Sequence, residues 1–146
     1  MKITIIAIGK CKKNSPEYAL IEEYKKRSNW EIIIKEKDNS NQKDEAEFLQ
    51  SSLPSGAKVV VLDERGENIK SLDFAAKLEA WENSGCQNIC FLIGGADGHL
   101  ESTRKRADLL LSFGKMTLPH MLMRAVLSEQ IYRAQTIIHH HPYHRE

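Results

Sequence analysis

The chain has 146 residues, of which 41% are hydrophobic, so it is long enough to bury one proper core. Its 21 basic residues nearly balance its 20 acidic ones, and a net charge of +1 does not mark the chain as a general nucleic-acid binder. Any anion-binding surface must therefore come from local clusters of charge.

Apolar strand runs alternate with helical patterns along the chain. Ser15-Pro16 is typical of a helix start, since serine caps a helix and proline fits its first turn. The β-branched run Val59–Val61 is typical of a buried strand. The predicted elements are strand 3–8, helix 16–28, strand 32–34, helix 44–53, strand 59–62, helix 71–83 capped by Ser71, strand 89–93, a charged helix ending near 107, strand 109–111 and helix 120–138.

This alternation predicts one α/β domain over residues 1–146, with a mostly parallel sheet and helices on both faces. Only Gly9 follows the first strand, where a dinucleotide-binding fold would have a Gly-x-Gly-x-x-Gly turn. There is also no Gly-Lys-Ser/Thr of a Walker A loop. Both nucleotide-binding classes are therefore disfavoured.

The cysteines and the hydropathy pattern bear on the compartment. Cys11, Cys86 and Cys90 are an odd, unpatterned set, which argues against a disulfide framework and for a reducing cytoplasm. The apolar start ends after Ile8, too early for a signal peptide, and no stretch is long enough to span a membrane. We expect a cytoplasmic protein without a membrane partner.

Two glycine-containing loops follow predicted strands. Gly94–Gly98 allows either a tight strand-to-helix turn or the close approach of a ligand to the backbone. Gly114–Pro119 offers main-chain donors and acceptors in a rigid frame, which suits a flat heterocycle such as adenine, although an ordinary connection is the alternative. Ligands of α/β sheets bind at such positions, beyond the carboxyl ends of the strands.

The last predicted helix carries two stripes of apolar or small residues at helical spacing, which predicts burial on two sides. We expect the sheet on one side and a second subunit on the other, with a fully internal helix as the alternative. The stripes are Met123, Leu127, Ile131, Ala134 and Ile138, and Met121, Ala125, Ser128 and Tyr132.

The C-terminal tail is dense in groups that carry protons or bind anions. His139–His141 lack cysteine or carboxylate partners at ligand spacing, so we expect no metal site. Pro142 ends the helix, and Tyr143, His144 and Arg145 follow as candidates for catalysis or RNA contact. A frayed polar end is the alternative.

The motifs GGADG, KMTLPH, SEQIYRA and PYHRE occur in this order, and with them the whole chain resembles the RlmH family of SPOUT-class methyltransferases. That resemblance implies an α/β-knot fold with a deep C-terminal trefoil knot, and a homodimer. It implies transfer of methyl from S-adenosylmethionine to N3 of a pseudouridine in helix 69 of 23S rRNA, on assembled ribosomes. The cofactor pocket would be lined by Leu62, Gly95, Gly114, Lys115, Met116, Thr117, Leu118 and Pro119.

The same resemblance places the tail at the reaction centre. The attacking N3 must lose a proton, and His144 is the first candidate for the general base. Arg145 would stabilise the developing anion or bind phosphate, and Tyr143 would stack on a base. Arg124 and Arg133, with the basic clusters Lys10–Lys13 and Lys25–Arg27, are expected to help bind RNA.

Two other functions stay open on the sequence. A nucleotide-binding enzyme of another chemistry, such as a hydrolase, is disfavoured because the chain lacks a nucleophile elbow and paired carboxylates. A non-catalytic RNA-binding or ribosome-binding module that kept the fold is disfavoured by the intact KMTLP and PYHRE motifs. Loss of cofactor affinity would be the mark of such a module.

Overall fold

Five strands and five helices alternate along residues 1–145, the part of the chain that the computed structural model describes. Glu146, the last residue of the PYHRE motif, lies outside the described residues. The elements are β1 (Lys2–Ile8), α1 (Pro16–Arg27), β2 (Glu31–Lys37), α2 (Gln42–Ser51), β3 (Lys58–Glu67), α3 (Ser71–Asn83), β4 (Asn88–Ile93), α4 (Glu101–Arg106), β5 (Leu109–Leu111) and α5 (His120–Ile138).

The strands form one sheet in the order β2-β1-β4-β3-β5, and every neighbouring pair is parallel. The prediction of a parallel sheet is therefore confirmed. Leu62 is in register with Ile93 on one side and with Leu111 on the other. The carboxyl ends of β4 and β5 consequently lie beside the point in β3 where its apolar run ends, at one edge of the sheet.

Helices cover both faces of the sheet, as the apolar strand runs predicted. On one face, Phe74 and Leu78 of α3 and Leu127 and Ile131 of α5 join the larger core. On the other face, Leu49 of α2 belongs to a second, smaller core. Both cores are built from alternate residues of the same strands, because successive side chains point to opposite faces.

Some predicted boundaries are wrong for identifiable reasons. β3 continues to Glu67, well past its apolar run, because Glu67 pairs with Leu111 after an irregularity in register. α2 begins at Gln42, since the side chain of Asn41 caps it by accepting from the Asp44 amide at 2.8 Å. Ser71 is not a cap: Lys70 holds the cap position, and the Ser71 hydroxyl instead donates to Gln130 Oε1.

The residues at the end of β3 lie tightly against β5. A Cβ on Gly66 would lie 2.6 Å from the carbonyl carbon of Leu111, so only glycine fits there. The Ser112 amide donates to the Glu67 carbonyl at 3.0 Å, and Asn68 Nδ2 donates to the Ser112 carbonyl at 2.8 Å. These contacts fix the start of the loop after β5. The threaded knot itself stays a prediction.

α5 packs against α1 and α3 of the same chain. Leu127, Ile131 and Ala134 of its first stripe are buried. Ala125, Ser128 and Tyr132 of the second stripe are also buried, before any second subunit is added. The alternative of an internal helix thus explains the two stripes, and they no longer argue for a dimer.

Arg124 is fully buried, with 0% of its surface exposed, so the expectation that it helps bind RNA is wrong. Its Nη1 donates to Glu36 Oε2 at 2.5 Å. Its Nη2 donates to the carbonyl oxygens of Ile8 and Gly9 at 2.7 and 2.6 Å. Burial lowers the pKa of Arg124, and the Glu36 carboxylate opposes that shift. This guanidinium joins α5 to the carboxyl ends of β1 and β2.

Within residues 1–145 all three cysteines are free thiols. In the same part of the chain, no helix has the length and apolar character needed to cross a membrane.

Replacement of the buried arginine should strongly destabilise the fold. Arg124→Met leaves the Glu36 carboxylate and two main-chain carbonyls without their donor, and we expect a loss of about 3–5 kcal/mol in the free energy of unfolding. Urea denaturation measures this loss. Arg27→Met, which breaks an exposed ion pair with Glu23, is the control and should change stability little. Equal effects of the two variants would contradict the anchoring role.

Candidate functional site

A cavity of about 480 Å³ lies at the edge where β3, β4 and β5 end. This volume is in the range of small-molecule sites, and the position is where α/β sheets bind ligands. Its walls come from residues 62–65 of β3, the segments that follow β4 and β5, Gln42 of α2 and the first turn of α5. The lining residues are Gln42, Leu62–Arg65, Ile93–His99, Arg104, Leu111–Gly114, Met116–Leu118, His120 and Met123.

Most of the predicted cofactor residues meet at this cavity. The structure brings together Leu62, Gly95, Gly114, Met116, Thr117 and Leu118 in its lining. Lys115 and Pro119 belong to the same loop but are not among the lining residues. The two glycine loops that the sequence singled out therefore both contribute to this cavity.

The glycine turn after β4 is held from behind by α2. A Cβ on Gly95 would lie 2.8 Å from Glu45 Oε1, so the absence of a side chain lets the turn lie against this buried carboxylate. Glu45 Oε2 accepts from the Ser40 amide at 2.8 Å, which limits its movement. Gln42 Nε2 donates to the Asp97 carbonyl at 3.0 Å. The turn therefore has a fixed backbone that faces the cavity.

The loop after β5 forms the opposite wall. The Ser112 hydroxyl donates to the Gly114 carbonyl at 2.9 Å and lies 3.2 Å from the Gly114 amide nitrogen. Gly114 has φ +134°, a conformation that favours glycine. Met116 is 87% exposed at the mouth of the cavity. The loop thus combines main-chain polar groups with an apolar side chain that is free to contact a bound molecule.

Charged side chains complete the wall beside β3. The Asp63 side chain is only 5% exposed, and its Oδ2 lies 3.6 Å from Arg104 Nη1. The Arg65 amide donates to Asp63 Oδ1 at 2.9 Å. Arg104 also pairs with Glu101 at 2.8 Å. The acidic and basic side chains of this wall are paired with one another. The wall can therefore hydrogen-bond a polar ligand without presenting an isolated charge.

His99 lies at the base of the glycine turn and is 6% exposed. Its Nε2 lies 3.0 Å from the Leu62 carbonyl oxygen. Burial lowers the pKa of His99, although the nearby Asp63 carboxylate and the backbone carbonyls of Leu62 and Leu92 act in the opposite direction. The imidazole is therefore neutral at physiological pH, and Nε2 carries the proton that the carbonyl accepts.

Sequence reasoning missed several lining residues, including Asp63, His99, Arg104 and His120. A usable signal existed for two of them: Asp63 follows an apolar strand directly, and His99 follows the glycine turn. Both positions lie beyond the ends of the predicted apolar strand runs, where ligands of parallel sheets bind. Arg104 and His120 are separated from the strand ends by turns, so the local pattern could not place them in the site.

The tail lies elsewhere in this chain, against α5 and α1. The Tyr143 hydroxyl donates to Glu129 Oε1 at 3.1 Å, and its ring packs edge-on against Tyr132 at 4.8 Å. The guanidinium of Arg133 lies 5.2 Å from the same ring. Burial, together with hydrogen bonding to Tyr24 and the charge of Glu129, raises the pKa of Tyr143. This tyrosine is firmly docked in its neutral form.

The structure does not bring the tail to the cavity. His120 lines the cavity, whereas Glu129, which holds Tyr143, lies nine residues further along α5, about 14 Å along the helix axis. His144 and Arg145 follow Tyr143 and are likewise absent from the cavity lining. Among the described residues, no group of three histidine, cysteine or carboxylate side chains is placed to hold a metal ion.

Comparison with known proteins identifies the family of this chain. The family described as "Predicted SPOUT methyltransferase" matches residues 1–144. A protein of Paramagnetospirillum magneticum named "Ribosomal RNA large subunit methyltransferase H" is 51% identical over 152 residues, covering 99% of both chains. Proteins of the same name from Rhodospirillum centenum and Rhizorhabdus wittichii are 45% and 44% identical, covering at least 99% of each chain. The chain therefore belongs to the SPOUT methyltransferase family, as its loop and tail motifs indicated.

Proposed function

We propose that this chain is an S-adenosylmethionine-dependent methyltransferase of large-subunit ribosomal RNA. The observation that carries the proposal is the cavity at the ends of β3, β4 and β5, where six residues expected to bind the cofactor meet. Family membership and the names of the full-length relatives support the same activity.

The cavity fits the cofactor in size and in the chemistry of its walls. Its volume of about 480 Å³ suits a molecule of nucleoside size. A Cβ on Gly114 would lie in open space, so the backbone there is bare on one wall and can form main-chain hydrogen bonds with a heterocycle. Leu62, Thr117 and Leu118 would hold the adenosine part, and the polar wall at Asp63 and Arg104 would meet the amino-acid part.

The cofactor supplies a methyl group that is already activated on a sulfonium sulfur. The protein then has to align the acceptor with that group and remove the proton of the attacking nitrogen. We assign three roles to the tail: His144 removes this proton, Arg145 stabilises the resulting anion, and Tyr143 stacks on a base. Because Tyr143 is docked on Glu129 in this chain, these roles require the tail of a second copy or release of the docked tail.

The proposed acceptor is N3 of a pseudouridine in helix 69 of 23S rRNA, within the assembled ribosome in the cytoplasm. All ten elements of the described residues 1–145 belong to the domain that forms the cavity. Recognition would therefore depend on the surface around the cavity and on the way the ribosome presents its RNA. Lys12 and Lys13 are exposed near the end of β1 and are available for phosphate contact.

We also propose a homodimer that uses the outer face of α5. Leu122 is 39% exposed, and Val126 lies one turn further on the same face and is partly exposed. Glu129 and Arg133 continue this face to the docked Tyr143. A second copy seated there would cover the apolar pair and would place its tail close to the first copy's α5.

The cofactor proposal is tested by calorimetric titration of S-adenosylmethionine. We expect micromolar binding to the unmodified protein. Leu118→Trp fills the cavity and should weaken binding by ~10-fold or more, which corresponds to ~1.4 kcal/mol. Leu20→Trp, at an exposed leucine of α1 away from the cavity, is the matched control. Absence of binding in the folded protein would favour a non-catalytic ribosome-binding module.

The catalytic assignment is tested by methyl transfer to ribosomes that lack the modification. His144→Ala should lower the rate by on the order of 100-fold, since it removes the proposed base, and should leave cofactor affinity unchanged. His139→Ala, at the exposed histidine in the cap position after α5, is the control and should retain the rate. Full turnover by His144→Ala would remove His144 from the mechanism.

The dimer is tested by sedimentation equilibrium. Leu122→Glu places a charge in the proposed apolar contact and should raise the dimer dissociation constant by ~100-fold or more. Leu72→Glu is the matched control, because Leu72 is similarly exposed, at 44%, but lies on α3. A monomeric unmodified protein, or a dimer that tolerates Leu122→Glu, would contradict the proposed interface.

A further inference from the structure

We propose that His99 is a positioning residue of this site: its side chain links the end of β3 to the glycine turn after β4 and so fixes the floor of the cavity. The inference deepens the proposed cofactor site and rests on that proposed function. His99 lines the cavity, and its proposed role is to hold the backbone to which the cofactor would bind.

The first part of the link is the imidazole itself. His99 Nε2 donates to the Leu62 carbonyl oxygen at 3.0 Å, and both residues line the cavity. The pairing of β3 with β4 ends at Leu62 and Ile93, immediately before the two chains separate around the cavity. His99 therefore supplies a cross-link beyond the last pair of the strand ladder, where main-chain hydrogen bonds no longer join these strands.

The second part of the link is the packing of the ring on the turn. A Cβ on Gly94 would lie 3.1 Å from Cε1 of His99 and 3.2 Å from its Nδ1, so the ring lies directly against the backbone there. The Gly98 amide donates to the Gly95 carbonyl at 3.0 Å, which closes the turn. The imidazole thus lies between the Leu62 carbonyl of β3 and the Gly94 backbone, at the base of the closed turn.

The third part of the link returns to β3 through α4. The His99 carbonyl accepts from Arg104 Nη1 at 2.6 Å, and the same nitrogen lies 3.6 Å from Asp63 Oδ2. Because Asp63 follows Leu62 directly, a closed ring of contacts joins Leu62, His99, Arg104 and Asp63. Every member of this ring lines the cavity. A change at any of them would be transmitted to the backbone of the other three.

The neutral state of His99 suits this role. Burial lowers the pKa of the imidazole, and the Asp63 carboxylate is the largest opposing influence, with Arg104 acting in the same direction as burial. With Nε2 protonated and Nδ1 bare, the side chain donates one hydrogen bond and adds no positive charge. Because the sulfonium donor is itself a cation, a neutral His99 at the floor of the cavity does not repel it.

Two variants separate the hydrogen bond from the volume of the side chain. His99→Gln retains an N–H donor at a similar reach, whereas His99→Met has similar length and no donor. Hydrogen–deuterium exchange of the free protein reports on segments 60–68 and 92–100. We expect exchange there to be ~10-fold faster in His99→Met and within ~3-fold of the unmodified protein in His99→Gln. Segments 2–8 and 31–37, in β1 and β2, should not change.

Titration of S-adenosylmethionine supplies the second measurement. His99→Met should weaken binding by ~10-fold, and His99→Gln should restore it to within ~3-fold. Should His99→Met fail to fold, His99→Asn takes its place, because its shorter amide does not reach Leu62. Unchanged exchange and affinity in the donor-free variant, or equal losses in both variants, would overturn the proposal. If the unmodified protein binds no cofactor but the exchange pattern is as expected, the link stands and the proposed cofactor is wrong.

Discussion

The rest of the structure depends on the buried contact between Arg124 and the carboxyl ends of β1 and β2. A guanidinium with no exposed surface requires partners, and Glu36, Ile8 and Gly9 supply them to its two terminal nitrogens. The contact fixes the depth and rotation of α5 against the sheet. Since α5 starts at the cavity, the position of the loop after β5 is fixed by the same contact.

One rigid helix therefore carries both parts of the proposed site. His120 and Met123 contact the cavity, and Glu129 and Arg133 hold the docked tail further along. A helix cannot shorten to bring these two places together, because its rise per residue is fixed. Within one chain, the tail must leave its docked position to act at the cavity. A second copy, with its own tail, offers the other route.

Local patterns predicted most of the fold and the two glycine loops of the candidate site, whereas the individual cofactor residues came from the family resemblance. Apolar runs such as Val59–Val61 located the strands, and the bounds of α5 were predicted as observed. The extension of β3 to Glu67 was not predictable, because it depends on pairing with Leu111, which is distant in sequence. The burial of Arg124 was not predictable either, because an arginine in a helix is expected to be exposed unless its distant acceptors are known. His99 and Asp63 could have been found by asking which polar residues follow strand ends.

The chemistry of the proposed reaction explains why the site depends on backbone geometry more than on strong charges. An activated methyl donor needs alignment, and alignment is lost when the walls of the cavity shift by a fraction of the donor–acceptor distance. The charged groups at the wall, Asp63 and Arg104, are paired with each other, and the histidine at the floor is neutral. Their common effect is to hold Leu62 and the glycine turn in place. In the proposed mechanism the proton of the acceptor would be removed by His144, which lies outside the cavity lining and would arrive together with the acceptor.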